Sequence, residues 1–289
     1  MEKIWGNVLN QFSIAPEECN VMLTEPVINP KDQAEKMLRI MFETFNVKGF
    51  YITNPAFLSF YSIGKITGIA VDSGESLTQY LPLLEGFELP GKRDLIKFGG
   101  KDLTEYNVRL LNEIQYIPID KEKYIAEDAK KKACYVALDY LDESKYVEPF
   151  EYELPDKSSI LIREQRIKCC EALFKPYLAG IDYDENIAEY CNNIINKCDY
   201  DQRNDLYNNI ILSGGNTMFE GFRERFTNEI KALADYKYKE AVKVIADNRK
   251  NLAALIGGSV LSSLSNFEQK WITKNEYEER GCSIVHEKY

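Results

Sequence analysis

The run Ile210-Ile211-Leu212-Ser213-Gly214-Gly215-Asn216-Thr217-Met218-Phe219 decides how the rest of this chain is read. Its aliphatic start reads as a buried strand. The two glycines then let the backbone come close to a ligand, and Asn216 or Thr217 stands where it would cap a following helix. Such a helix start offers unpaired N–H groups and the positive end of a dipole, which suit a nucleotide. Alone, Gly-Gly before a helix is also what a plain tight turn looks like.

Outward from this run, the chain alternates strand and helix patterns. Residues 220–233 place Phe222, Phe226, Ile230 and Leu233 on one helical face. Residues 102–112 and 125–138 read as helices. Residues 67–76 read as a strand, a glycine-containing turn and a second strand. Nearer the start, residues 34–45 carry Met37, Leu38, Met41, Phe42 and Phe45 at helical spacing. Gly49-Phe50-Tyr51-Ile52 is strand-like, and residues 56–63 form a helix pattern stopped by Gly64. The alternation implies an α/β fold.

A length of 289 residues allows two domains with ample core, and 45% apolar content without long polar tracts argues against disorder. The formal charge of −10 disfavours binding nucleic acid or an anionic membrane through a general basic surface. No apolar run is long enough to span a bilayer and no signal peptide precedes Met1, so no membrane insertion is expected. The seven cysteines include one adjacent pair, Cys169-Cys170, but no C-x-x-C, and His286 is the single histidine. A structural zinc site and a histidine-based triad are therefore not expected, and reduced thiols in a cytosolic protein are.

Several stretches, in one order along the whole chain, resemble actin. They are Met1-Glu2-Lys3-Ile4-Trp5, Ala15-Pro16-Glu17-Glu18, Leu23-Thr24-Glu25, Ile40-Met41-Phe42-Glu43-Thr44-Phe45-Asn46 and Asp72-Ser73-Gly74. Asp102-Leu103-Thr104-Glu105-Tyr106, Cys134-Tyr135-Val136-Ala137-Leu138-Asp139 and Tyr152-Glu153-Leu154-Pro155-Asp156 continue the series. Glu171-Ala172-Leu173-Phe174, Asp205-Leu206-Tyr207, Ile256-Gly257-Gly258-Ser259, Trp271-Ile272 and Ser283-Ile284-Val285-His286 complete it. The resemblance implies an actin/Hsp70-like ATPase fold, two lobes around a nucleotide cleft, in a divergent actin or actin-related protein. Residues 1–62 and 252–289 would be a remnant of the first lobe. Residues 63–98 and 183–251 would form the base of the second, and 99–182 its upper part.

In that alignment Met1 meets an internal methionine of the family. The first strands, the first phosphate loop with its lysine, and the small flexible subdomain that contacts the next filament subunit are expected to be missing. A fragment beginning at an internal Met and a shortened protein with a different job both fit, and the untailored Met-Glu-Lys-Ile-Trp start favours the fragment. The first lobe would then be incomplete, with uncovered apolar faces and unpaired sheet edges.

The resemblance also implies a ligand, ATP or ADP with Mg²⁺. Asp72-Ser73-Gly74-Glu75-Ser76 occupies the second phosphate loop, usually Asp-Ser-Gly-Asp-Gly; Asp72 would hold water on Mg²⁺, and a glycine lets main-chain N–H groups reach phosphate oxygens. Glu75 and Ser76 depart from the pattern, and a hairpin turn without a ligand is the competing reading. Gly214, Gly215, Asn216, Met218 and Phe219 match the adenosine-side loop. Lys130 and Lys250 match lysines near the adenine, and Gly100 borders the cleft. Lys131 replaces a ribose-binding acid, and with Lys132 reads as a solvated helix face.

Pro55 stands where actin has the glutamine that positions the attacking water. Proline has neither side-chain amide nor N–H, whereas it starts a helix well. No catalytic residue is therefore assigned, and hydrolysis and ordinary polymerisation are doubtful. Tyr61, Gly64, Ile256, Val260, Leu261 and Leu264 match the apolar groove through which actins receive helices of actin-binding proteins, although Ile256, Val260 and Leu264 at spacings of four more often just face a core. Lys270 replaces an apolar groove residue. The partners implied are actin or actin-related subunits and actin-binding proteins, in a cytoplasmic, cytoskeletal setting. The alternative is a non-hydrolysing actin-related scaffold or filament-capping subunit.

Overall fold

The computed structural model describes residues 1–12, 14–118 and 121–288. In chain order the elements of its first part are α1 (Glu2–Gln11), β1 (Asn20–Thr24), α2 (Lys31–Arg39), β2 (Gly49–Thr53), α3 (Pro55–Ser62), β3 (Gly68–Ser73), β4 (Thr78–Leu84), β5 (Phe87–Glu88), β6 (Asp94–Ile96) and α4 (Gly100–Asn112). Then come α5 (Glu122–Ala133), α6 (Tyr140–Glu143), β7 (Phe150–Glu153), β8 (Ser159–Ile162), α7 (Gln165–Glu171), α8 (Ile187–Lys197), α9 (Tyr200–Tyr207), β9 (Ile210–Ser213), α10 (Phe222–Leu233), β10 (Val244–Ile245), α11 (Ala253–Ser262), β11 (Ile272–Thr273), α12 (Lys274–Arg280) and α13 (Val285–Lys288). The fold is mixed α/β. The chain divides into two compact units, Met1–Gly64 with Ala253–Tyr289, and Lys65–Leu252.

In the first unit, β2 is the middle strand of the order β1-β2-β11, parallel to β1 and antiparallel to β11. Its pleat sends Phe50 and Ile52 into a core with Leu38, Met41, Phe42, Val47, Ile272 and Ile284. Tyr51, on the other face, packs edge-on against Phe267 and Trp271. The 34–45 helix expected from spacing starts earlier, at Lys31 after Pro30, and its end widens into a π turn, Ile40–Thr44, where Phe45 N–H reaches Ile40 O at 3.1 Å. Helix α3 ends as its sequence indicates, with Gly64 at φ +67°. Gly257 lets α11 lie directly on α3: a Cβ there would stand 1.8 Å from Leu58 O. Helix α1 buries no residue, and Met1, Ile4, Val8 and Phe12 are exposed.

In the second unit the sheet runs β10-β9-β3-β4-β5, with β6 also on β4. Strand β3 is parallel to β9 and antiparallel to β4. Apolar side chains on both faces bury β3 and β9 almost completely, as strands covered by helices require. A smaller core joins α4, α5 and the β7–β8 hairpin through Leu111, Ile125, Ala129, Tyr152 and Ile160. The helix expected over 125–138 stops at Ala133. Beyond it the backbone is extended, because Ala133 O and Tyr135 N–H bond to Arg166 instead of to a further helical turn.

Candidate functional site

Parallel pairing of β3 with β9 sets Asp72 directly beside Ser213 at the carboxyl ends of both strands. In open α/β sheets this is the edge that meets ligands. Ser213 Oγ donates to Asp72 Oδ1 at 2.9 Å, and Gln79, the residue opposite Asp72 on β4, donates through Nε2 to Oδ2 at 3.1 Å. Desolvation raises the Asp72 pKa above its ordinary value, and the two hydrogen bonds work against that rise. Each carboxylate oxygen keeps accepting capacity beyond these bonds.

The two loops that follow the strands are stitched together. Asn216 Nδ2 donates to Ser73 Oγ at 3.0 Å and to Gly74 O at 2.8 Å. Ser73 Oγ lies 2.8 Å from Thr78 Oγ1, which donates to Phe98 O at 3.0 Å, so a directed chain runs Asn216, Ser73, Thr78, Phe98. Gly214 takes φ +88°, and a Cβ on it would fall 2.3 Å from Ser73 O. Only glycine lets the second loop cross the first so closely. Before Gly215 the space is open: a Cβ there would meet nothing within 4 Å.

The sequence expectation that Asn216 or Thr217 caps a helix is corrected. Residues Gly215–Met218 form a 3₁₀ turn, and α10 begins only at Phe222, after Gly221 at φ +79° and without a side-chain cap. Asn216 is spent on the neighbouring loop, and Thr217 Oγ1 donates to Gly214 O at 2.8 Å. Met218 is exposed and Phe219 packs partly against the main core. Lys250 touches the loop through its backbone, its O accepting from Gly214 N–H at 3.1 Å.

The start of α4 closes the site. Gly100 N–H donates to Gly74 O at 3.0 Å and Lys101 N–H to Glu75 O at 2.8 Å. A Cβ on Gly100 would lie 2.6 Å from Glu75 Oε2 and 3.4 Å from Lys130 Nζ, so glycine makes room for both side chains. Lys130, on α5, is 3% exposed. Its Nζ donates to Gly100 O at 2.6 Å and to Thr104 Oγ1 at 2.7 Å, and it has no ion-pair partner among the described residues. Lys131 and Lys132, by contrast, pair with Glu127 and Asp128 on the solvated face of the same helix. Gln79, Thr78, Thr104 and Ser213 belong to this cluster and were not singled out by sequence; the hairpin register that sets Gln79 opposite Asp72 is the signal that could have found the first.

Pro55 and the apolar positions lie in the other unit. Pro55 is the first residue of α3, and Asn54 Oδ1 caps the helix by accepting from Phe57 N–H at 2.6 Å. Leu261 faces inward, buried with Leu58, Phe267 and Trp271. Tyr61 and Ile256 are half-buried, and burial raises the Tyr61 pKa. Val260, Leu264 and Gly64 are exposed.

Fold and site define a mixed α/β protein whose central sheet presents a carboxylate, two interlocked glycine-bearing loops and a buried lysine at one strand edge. The family model described as Actin matches residues 1–289, and the chain belongs to the actin family. No helix among the described residues is long and apolar enough to cross a membrane.

Proposed function

We propose that this chain is an actin-like cytoskeletal subunit that binds ATP or ADP with Mg²⁺ at the strand-edge site and holds the nucleotide structurally. The fold inferred is the actin/Hsp70-like ATPase fold, with the site on the second lobe. The observation that carries this reading is Lys130, a buried ammonium held by two neutral acceptors beside loops with open space before Gly215. Glu75 comes close to the same point beside Gly100 but makes no ion pair with Lys130, and an anionic ligand in contact with the ammonium would relieve part of the cost of burying it.

The residues present fit such a ligand. Asp72 would hold Mg²⁺ through water, and the metal would supply charge neutralisation for the phosphates. The N–H groups of Gly74 and Gly214 are committed to Leu77 O and Lys250 O, so main-chain donors to phosphate would come from Glu75, Gly215 and Asn216. Lys130, Lys250, Met218 and Phe219 would flank the nucleoside. Slow turnover is what the family resemblance implies, because Pro55 stands at the position of the family's water-positioning glutamine and offers no group for that task. The exposed Val260 and Leu264 are where an actin-binding helix would be received, and actin-related subunits are the other partners this reading implies.

Calorimetric titration of the chain with Mg·ATP tests the reading. Saturable binding is expected, weakened roughly tenfold or more in Lys130→Met, with phosphate release at background. Equal affinity of Lys130→Met and the parent chain, or no binding by either, would overturn it.

A further inference from the structure

Strand β1 is an edge of the sheet in the first unit, paired on one side only, with β2. Glu25 N–H donates to Thr53 O at 2.8 Å, which sets the phase of this parallel ladder. Leu23 and Val21, two and four residues earlier, turn their backbone groups the same way, toward β2. Asn20, Met22 and Thr24 turn theirs outward, and among the described residues these groups make no hydrogen bond. The side chains of β1 already have their places. Val21 and Leu23 pack on the core of Phe50 and Ile52, and Met22 packs with Leu58, Phe267 and Trp271. No residue of β1 is buried even so, whereas Gly49, Phe50 and Ile52 of β2 are. The missing cover is on the outer side of the strand.

Nothing in the strand blunts that edge. Asn20-Val21-Met22-Leu23-Thr24 holds no charge, no proline and no bulge, the usual protections. Carboxylates stand at both of its ends, Glu17 and Glu18 in the turn before it and Glu25 directly after it. Glu17 is met by the Asn46 amide and Glu25 by the Asn29 amide, and none of the three has an ion-pair partner among the described residues.

We propose that the outer edge of β1 takes up an extended segment of a partner protein, apolar along its centre and flanked by lysine or arginine. The backbone groups of Asn20, Met22 and Thr24 recur every second residue, roughly 6.7 Å apart, a spacing that an extended chain matches with its own N–H and C=O groups. The added strand continues the sheet between the two apolar clusters that β1 touches, so its side chains are apolar on both faces. Its basic ends meet Glu17 and Glu18 at one end and Glu25 at the other, which gives the contact its choice of partner. A second copy of this chain is the poorer occupant. Two-fold antiparallel pairing of β1 with itself sets Glu17 and Glu18 of one copy beside Glu25 of the other, and like charges across a strand pair repel.

The probe is a synthetic peptide with a run of valines between lysine pairs, titrated into the full chain and read by amide hydrogen exchange in NMR spectra. The amides of Asn20, Met22 and Thr24 are expected to slow by about tenfold or more on saturation, while those of Val21 and Leu23, already bonded to β2, change less. The same peptide N-methylated at every valine keeps its charge and apolar surface but loses its donors, and should not bind. Glu17→Gln, Glu18→Gln and Glu25→Gln combined remove only partly or fully exposed carboxylates and should weaken binding a few-fold with the fold intact. Unchanged exchange of the three amides at saturating peptide, equal binding of the N-methylated peptide, or unchanged affinity in the triple variant would each overturn the proposal. So would slow exchange of the same amides in the chain alone at the sedimentation mass of a dimer, which would assign the edge to a second copy.

Discussion

The molecule makes the same strand-to-helix passage twice and finishes it differently. From β2 into α3 the helix starts at once: Asn54 caps it with its own side chain and Pro55 supplies the first helical φ. From β9 into α10 the chain passes two glycines, a 3₁₀ turn and a left-handed Gly221 before the helix starts uncapped. The first passage is closed by local chemistry. The second is open, and distant residues must hold it: Asn216 on the 73–74 loop, and Arg225 on Glu171 and Ala137 O. The edge proposed to hold nucleotide thus lacks the local cap and has tertiary bonds in its place. The distribution of buried polar side chains agrees, since of those described only Asn54 and Ser59 belong to the first unit.

If that contrast is right, the open passage should be the more fragile. Glu171→Ala removes the fully buried partner of Arg225, which keeps only its pair with Glu229, and should cost about 3 kcal/mol in denaturant unfolding. A loss below 1 kcal/mol, read as the shift in midpoint at constant slope, would break the comparison. Gly214→Ala combines an unfavourable positive φ with a collision against Ser73 O, and should cost roughly 3 kcal/mol while abolishing Mg·ATP binding. Retained binding would mean that the loops need not cross so closely. Asn54→Ala, at the closed passage, should cost only about 1 kcal/mol, the ordinary worth of a helix cap. Trp271, packed in the cluster that holds Leu58 of α3, makes its fluorescence the readout.

The last test is a slope rather than a step. The folded pKa of Asp72 lies above the unfolded one because of desolvation. Its contribution is therefore fully present below the ordinary aspartate value of 3.8 and lost as pH rises through the folded value. In chelator, without nucleotide, Asp72→Asn should flatten this fall in melting temperature. An unchanged pH profile would show that Asp72 titrates as an ordinary carboxylate.

Legibility in sequence followed the same divide. Pro55 as a helix start, the stop at Gly64 and the strands over 49–52 and 210–212 could be read because proline's fixed φ, a positive φ and burial are written within a few residues. Gly214 was read from its own strand-and-glycine run, the positions of Asp72, Gly100 and Lys130 were reached through the family resemblance, and the structure gathers them at one edge. What could not be read locally were bonds between distant segments. Arg166 ends α5 at Ala133, Asn216 turns to Gly74 instead of capping, and Thr104 and Gln79 enter the site only through packing of α4 and pairing of β4. The π turn at Ile40–Thr44 was likewise hidden, since its apolar spacing imitates a continuous helix.

Strand β3 has one neighbour of each kind. Its hairpin with β4 closes over a four-residue turn, but its bond to β9, and so the Ser213–Asp72 contact, joins residues 141 apart in sequence. Closing so long a loop is entropically slow compared with forming a hairpin. The carboxylate can meet Gln79 early in folding, yet it acquires Ser213 and the Gly214 crossing only when nearly all of the second unit is in place. Ligand capture at this edge would therefore report completed folding, and a chain stalled before β9 docks would be blind to nucleotide.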